Sequence, residues 1–145
     1  MSSVPARKLA PDDYPLVEAA LNDLVRHLQA HGSKQLYQHL DVAATMESLP
    51  NMRHAYIVAG SYLVVYDLII PWFSRTVLLQ ELLVLRLNRA STFDVVPDFL
   101  SAQAAEAGAS LILVGTMLAK SDRALASLYS RSGFVEAARV LSKEP

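Results

Sequence analysis

Cysteine is missing from this sequence altogether. The absence excludes a thiol nucleophile, a thiolate zinc site and a disulfide framework, and with the last it excludes the small secreted scaffolds that depend on disulfides. A chain without cysteine suits a reducing compartment, so we expect a cytoplasmic protein.

A surplus of charge of either sign is also missing, because 13 Lys and Arg residues stand against 14 Asp and Glu residues. Without a basic field we predict no nucleic-acid partner. The longest apolar stretches, residues 62–73 and 77–87, are broken by charged residues, glutamine and proline, so we expect neither a membrane-spanning segment nor a membrane partner. Residues 1–15 have no apolar core behind their basic residues, and we expect no secretory signal there.

Apolar residues, by contrast, are plentiful at 52% of a chain of 145 residues. That length suits a single domain with a sizeable core, which we predict to span residues 1–145.

Hydrophobic periodicity divides the chain into strands and helices in the order β-α-α-β-β-β-α-β-α-β. Four stretches with helical spacing are predicted as helices, and they end at Gly32, Pro50, Gly108 and Gly133. The predicted strands are residues 4–9, 55–58, 62–70, 77–87, 111–115 and 134–141. The middle three strands predict an antiparallel meander, and the strand-helix-strand unit at 77–115 predicts a parallel pair. The expected fold class is therefore α/β with one mixed sheet, whose sites lie beyond the strands' carboxyl ends, at residues 85–94 and 116–122.

This element order, with residues 82–100 and 122–134, resembles the GNAT superfamily of acyl-CoA-dependent N-acetyltransferases. In the second stretch, DRALASLYSRSGF, Tyr129, Gly133 and Phe134 fit the family pattern, and Asp122 stands where the family has asparagine. The resemblance implies a GNAT-like single domain. It covers most of the chain by element order, but only these two stretches by residue.

The family's phosphate loop is matched less well. Its pattern of Arg or Gln, two residues, Gly, one residue, and Gly or Ala falls on Arg89 to Asp94, where Arg89 fits but Thr92 and Asp94 replace the glycines. Thr92 either contacts a phosphate or, like Asp94, caps the following helix. For acetyl-CoA, the resemblance implies contacts to Leu83, Val84, Leu85, Arg86, Arg89, Thr92 and Asp122.

Transfer of an acetyl group from a thioester to an amine needs a base for the amine and an acid for the leaving thiolate. The resemblance assigns the acid to Tyr129, which is otherwise a core aromatic residue. Glu81, among apolar neighbours, is a candidate base with a raised pKa, but the alternation of its strand leaves its face undecided and it could equally be solvated. Asp67 is a weaker candidate of the same kind.

Histidines suggest two further interpretations. His27 and His31 have the spacing of metal ligands on a helix, but no third ligand is evident except His39, so we expect solvated histidines and no metal site. In the resembling family the second helix borders the acceptor pocket, which makes Tyr37 and His39 candidate acceptor contacts.

The connection between the third and fourth strands is unusually apolar. It carries Ile69, Ile70, Trp72 and Phe73, including the single tryptophan of the chain. The turn could pack over the chain's own core, border an acceptor site or join an interface. Because tryptophan and phenylalanine are enriched at interfaces, we favour an interface or pocket edge, and we predict a homo-oligomer or another protein partner that binds through this turn.

Together these features predict an acetyl-CoA-dependent acetyltransferase that acts on an amine. The alternative is a GNAT-like protein that has lost catalysis and serves as a structural or interaction protein, a kind familiar among phage proteins, and located in the virion if the chain is phage-encoded. The missing loop glycines and the apolar turn favour that alternative.

Overall fold

Five strands form one sheet in the computed structural model, which describes residues 4–145. The strands are β1 (Ala6–Lys8), β2 (His54–Val58), β3 (Tyr62–Ile69), β4 (Leu78–Arg86) and β5 (Leu111–Leu113). The helices are α1 (Tyr14–His31), α2 (Lys34–Tyr37), α3 (Val42–Ser48), α4 (Val95–Ala107) and α5 (Asp122–Ser130), with short 3-10 turns at Pro11–Asp13 and Leu49–Asn51.

The strands lie side by side in their order along the chain. Neighbours from β1 to β4 are antiparallel, and β4 pairs with β5 in parallel through the crossover helix α4. This arrangement confirms the predicted α/β class with one mixed sheet.

Local sequence signals explain where most helices begin and end. Pro15 lies in the first turn of α1, and Gly32 is its C-cap, as predicted. The second predicted helix is divided in two, because the Asp41 carboxylate accepts a hydrogen bond from the N–H of Ala44 and starts α3 anew. Gly108 ends α4 with a φ of 69°, the left-handed conformation that glycine adopts without strain.

Two apolar layers enclose the sheet. The first packs α1 and Leu49 against β2, β3 and the end of β4, and it consists of Val17, Leu21, Leu24, Leu28, Leu49, Ala55, Ile57, Leu63, Val65, Leu83 and Leu85. The second packs α4 against the other face, and it consists of Val58, Tyr62, Val64, Tyr66, Leu79, Val96, Phe99, Leu100 and Ala104. Helices on both faces fix the sheet and leave its end beyond β4 and β5 to form a site.

The last predicted strand, residues 134–141, is wrong: within the described chain, residues 134–145 have no regular secondary structure. The N–H of Phe134 bonds to the carbonyl of Tyr129, and Glu144 accepts a hydrogen bond from Gln38, which follows α2. The segment therefore runs towards α2 instead of along β5. Alternating apolar residues satisfy the pattern of a strand, but a strand also requires a partner edge.

Across residues 4–145, none of the helices combines the length and apolar character that a membrane crossing needs.

Candidate active site

β4 and β5 separate partway along the sheet. Their ladder joins residues 78–80 to residues 111–113 and ends there, although β4 continues to Arg86. Beyond Gln80, no strand in the described residues pairs with this edge of β4. The backbone of residues 81–86 therefore offers unpaired hydrogen-bonding groups to the gap beside it.

A β-bulge lies where the gap begins. Tyr66 of β3 pairs with Glu81 and Val65 pairs with Leu83, so Leu82 is the extra residue of β4. The bulge explains why Leu79 packs on the α4 face whereas Leu83, of the same parity, packs on the α1 face. Bulges commonly re-aim a side chain next to an active site. Here Glu81 is the residue that precedes the bulge.

The Glu81 carboxylate reaches across the gap to the strand opposite. Its Oε2 accepts a hydrogen bond of 3.0 Å from the N–H of Gly115, two residues after β5. Burial raises the pKa of Glu81 to about 7, and the bond from Gly115 opposes this rise without cancelling it. Near neutral pH the Glu81 carboxyl is therefore ionised in some molecules and protonated in the others, which suits a general base.

Tyr129 of α5 completes the site. Its side chain is 2% exposed, and its hydroxyl has no hydrogen-bond partner within residues 4–145. Its ring contacts those of Phe93 and Phe134, with centroids 5.0 and 5.1 Å away. Burial, and secondarily the charge of Glu81, hold the pKa of Tyr129 far above its ordinary value. The structure therefore brings the two predicted catalytic side chains into one electrostatic environment.

The side chains of Leu83, Val84, Leu85 and Arg86 are directed to the sheet faces or to β3. Leu83 and Leu85 are buried in the α1 layer, and Val84 packs against the α4 layer. The Arg86 guanidinium lies 5.9 Å from the centroid of the Tyr62 ring, and its Nε donates to the carbonyl of Asn88. What these residues present to the gap is their backbone.

The loop between β4 and α4 contains two predicted cofactor contacts, Arg89 and Thr92, together with Asp94. Arg89 and Thr92 are both exposed, and the Thr92 hydroxyl donates to the carboxylate of Asp94. The prediction that these side chains cap α4 is wrong: Asp94 occupies the N-cap position, but within residues 4–145 its side chain makes no capping hydrogen bond, and the Thr92 hydroxyl donates to Asp94.

Sequence reasoning missed the residues that anchor this loop. The Asn88 amide donates to the carbonyl of Gly60 at 2.8 Å, and its oxygen accepts from the hydroxyl of Ser61 at 2.8 Å and from the N–H of Ala90 at 2.9 Å. Ser61 is fully buried. A polar residue directly after a strand and a serine in the Gly-Ser turn were the available signals, but only pairing of the strands brings them together.

Asp122 is the first residue of α5 and accepts a hydrogen bond from the Thr116 hydroxyl. The capping residue of α5 is its neighbour Ser121, whose hydroxyl accepts from the N–H of Ala124. Asp122 is thus directed back towards the loop that follows β5.

Helix α1 and the residue that ends α2 hold that loop in place. Tyr37 donates to the carbonyl of Met117, and the His27 Nε2 lies 3.2 Å from the carbonyl of Lys120. Lys120 also forms an ion pair with Asp23. His27 therefore has a structural contact, a role that sequence reasoning missed.

No group of three metal-ligating side chains occurs among residues 4–145, so the described part of the chain holds no cluster around His27, His31 and His39. The rings of His27 and His31 lie 4.8 Å apart on α1. A polar cavity of about 600 Å³ lies between α1 and the residues that join α2 to α3. His39 and Arg26 line it, whereas Tyr37, Glu81 and Tyr129 do not.

The apolar turn between β3 and β4 projects into solvent. The exposed fractions are 95% for Trp72, 73% for Phe73 and 61% for Ile70, while Ile69 ends β3. The rings of Trp72 and Phe73 pack edge to face on each other. The turn contributes to neither apolar layer of the sheet.

Solved structures with a similar architecture include proteins named as acetyltransferases. A possible acetyltransferase from Clostridium difficile 630 superposes with a TM-score of 0.65 at 11% identity over 99% of both chains. An aminoglycoside acetyltransferase from an uncultured soil metagenomic sample gives 0.59 at 15% identity over 99% of both chains. Another such enzyme from a soil metagenomic sample, in complex with sisomicin, gives 0.52 at 15% identity over 98% of this chain and 95% of that one.

No protein-family model and no curated protein sequence matches the chain. Identities this low establish architecture alone, and the similarity covers nearly the whole length of each chain. The chain therefore shares the fold of these acetyltransferase structures.

Proposed function

We propose that the chain is an N-acetyltransferase that moves an acetyl group from an acyl-CoA-type thioester, acetyl-CoA in the simplest case, to an amine. The observation that carries the proposal is the electrostatic proximity of Tyr129 and Glu81, because the charge of Glu81 contributes to the raised pKa of Tyr129. The Tyr129 hydroxyl is buried without a hydrogen-bond partner within residues 4–145, and Glu81, at the point where β4 and β5 separate, has a raised pKa. Buried polar groups normally have partners, and perturbed carboxylates are concentrated at functional sites.

Glu81 supplies the base. Its carboxylate accepts a proton from the acceptor amine as the amine nitrogen bonds to the thioester carbonyl carbon. With a pKa of about 7, Glu81 is ionised in a large share of molecules near neutral pH and is still basic enough to take the proton. Solvent then removes that proton and restores the carboxylate.

Tyr129 supplies the acid. As the carbon–sulfur bond breaks, its hydroxyl donates a proton to the departing sulfur and regains one from solvent afterwards. A phenol whose pKa is raised by burial is fully protonated near neutral pH and therefore has its proton available to donate. The unpaired N–H groups of the β4 edge are the available donors for the charge that develops on the carbonyl oxygen.

The donor's thioester end fits these residues. The buried hydroxyl of Tyr129, which has no hydrogen-bond partner within residues 4–145, can donate to a leaving group that carries negative charge. The unpaired edge of β4 can form hydrogen bonds with the amide groups of an extended donor arm. Two of the similar structures are named as aminoglycoside acetyltransferases, which supports a small amine as the acceptor class and supplies sisomicin as one member of a test panel.

The test measures free thiol released from acetyl-CoA in the presence of small primary amines. We expect turnover by the wild-type protein and a loss of roughly one hundred-fold in Tyr129→Phe, in line with general acid catalysis. Tyr14→Phe, at the start of α1, is the matched control and should keep full activity. Absence of thiol release with every amine, together with no thermal shift by acetyl-CoA, overturns the proposal.

A second candidate function is an interaction protein that self-associates, and the observation that favours it is the exposed turn of Ile70, Trp72 and Phe73. A second copy of the chain is the occupant we propose for this turn. Large aromatic side chains exposed together mark contact surfaces more often than scattered apolar residues do.

A further inference from the structure

The unpaired edge of β4 leads from the reacting groups to the start of α4. Residues 81–86 cover about 17 Å of extended chain, and the loop of residues 87–94 follows them directly. On the function proposed above, a donor with its thioester beside Glu81 and its arm along this edge places its far end at that loop. In a CoA donor, the far end carries the nucleotide diphosphate.

The first turn of α4 has few amide groups to offer a phosphate. The N–H of Val95 bonds to the carbonyl of Thr92 at 3.4 Å, and that of Val96 bonds to the carbonyl of Phe93 at 2.9 Å. The third residue of the helix is Pro97, which has no N–H. The N-terminus of a helix binds anions through backbone N–H groups that have no other partner. Of these three positions, two have N–H groups that are already hydrogen-bonded, and the third has no N–H group.

The charge at this helix start is also unfavourable for phosphate. Asp94 is the N-cap residue of α4, and Asp98 lies in the first turn. The Thr92 hydroxyl, which could have donated to a phosphate, donates to Asp94 instead. Carboxylates here already occupy the favourable end of the helix dipole, and they repel a second anion.

Two arginines are the cations nearest in sequence, and one of them is engaged elsewhere. Arg86 lies against the Tyr62 ring and donates to the carbonyl of Asn88. Arg89 is exposed on the loop, where solvent and salt screen its attraction for an anion.

We propose that this donor site recognises the thioester and the pantetheine arm but not the nucleotide diphosphate. Acyl-pantetheine is then the minimal donor class, and the nucleotide of CoA adds nothing to transition-state binding. Asp94 is the residue that prevents the site from favouring donors with a nucleotide diphosphate. The inference rests on the proposed function, because it assumes that a thioester reacts beside Glu81.

The experiment compares kcat/KM for acetyl-pantetheine and acetyl-CoA with one acceptor amine, at low and at physiological salt. We expect the two values to agree within about three-fold, with little change on adding salt, since no phosphate contact is lost. A preference for acetyl-CoA of one hundred-fold or more overturns this inference and leaves the acetyltransferase proposal standing. Turnover of neither donor overturns both.

A charge-reversal variant tests the role of Asp94 directly. In Asp94→Lys we expect kcat/KM to rise about ten-fold for acetyl-CoA and to stay within two-fold for acetyl-pantetheine, because only the first donor carries phosphates. Glu106→Lys makes the same charge change near the other end of α4 and should alter neither value. Equal effects of Asp94→Lys on both donors contradict the inference; if that variant is unfolded by circular dichroism, Asp94→Asn gives the same comparison with a smaller expected rise.

Discussion

The carboxylate of Glu81 accepts a hydrogen bond from the backbone N–H of Gly115 across the point where β4 and β5 separate. Two opposing influences act on the pKa of the Glu81 side chain. Loss of water around the carboxylate raises its pKa, and the bond from Gly115 lowers it. Desolvation is the larger influence, so the folded protein keeps a base that titrates at about pH 7.

Glu81 should therefore reduce stability at alkaline pH. Its pKa is 4.5 in the unfolded reference and about 7 in the fold, so between these values the native state binds more protons and stability falls as pH rises. Above pH 7 the full cost, on the order of 3 kcal/mol, is present. Glu81→Gln should recover much of this at pH 8 and little at pH 4, measured by urea unfolding.

Glu106→Gln is the matched control for this prediction, because Glu106 is exposed on α4. It should change the free energy of unfolding by less than about 0.5 kcal/mol at either pH. If Glu81→Gln raises the free energy of unfolding equally at pH 4 and pH 8, ionisation of the Glu81 carboxyl does not destabilise the folded protein.

Tyr129→Phe should stabilise the protein while it slows catalysis. The substitution removes a buried hydroxyl that lacks a partner and keeps the ring contacts with Phe93 and Phe134. We expect the free energy of unfolding to rise by about 1 kcal/mol, because an unsatisfied buried polar group is costly. Chemical denaturation tests this, with Tyr14→Phe as control; destabilisation by Tyr129→Phe would mean that the hydroxyl has a partner.

His54 should make the protein sensitive to acid. Its ring stacks on that of Tyr66 at 4.6 Å, and its Nδ1 is buried without a partner among residues 4–145. Burial lowers the pKa of His54, with Asp67 partly opposing, so the folded state resists protonation. As pH falls below 6.5, the ordinary pKa of histidine, the unfolded chain takes up the proton first and stability decreases.

His54→Phe should accordingly flatten the stability profile between pH 8 and pH 5. Thermal unfolding across this range is the measurement, and His39→Phe, a change at an exposed position, is the control. The assignment to His54 is contradicted if the dependence of stability on pH persists in His54→Phe and disappears in His39→Phe.

The exposed turn predicts self-association. We expect light scattering to find an oligomer and the double variant Trp72→Ser, Phe73→Ser to weaken it at least ten-fold, because paired aromatic residues dominate interface energies. Leu16→Ser, at a half-exposed apolar position on α1, should leave association unchanged. A wild-type protein that is monomeric at high concentration contradicts this second candidate function.

The sequence predicts the elements of this fold well where local signals decide them. Gly32 and Gly108 end α1 and α4 as expected, and the apolar runs of β3 and β4 pair as predicted. Local patterns do not determine which strands pair with each other. Residues 134–141 alternate like a strand, but they lie outside the sheet, because pairing depends on which edge the chain reaches.

The residue types of the candidate site stand out in the sequence, but their arrangement does not. Glu81 stands out as a carboxylate in an apolar strand, yet that strand is apolar on both faces, so only the bulge at Leu82 determines how Glu81 is aimed. Asn88 donates a hydrogen bond to the carbonyl of Gly60 and accepts one from the hydroxyl of Ser61, and no local pattern connects these residues. Long-range pairing, which sequence periodicity does not encode, creates both features.

The pH dependence of kcat/KM for acetyl transfer tests the central claim most directly. With Glu81 as the base, activity should rise with a midpoint near pH 7, and Glu81→Gln should lose both that limb and most of the activity. A profile with no ascending limb near pH 7, or the same limb retained in Glu81→Gln, would contradict the assignment of Glu81 and with it this account of the site.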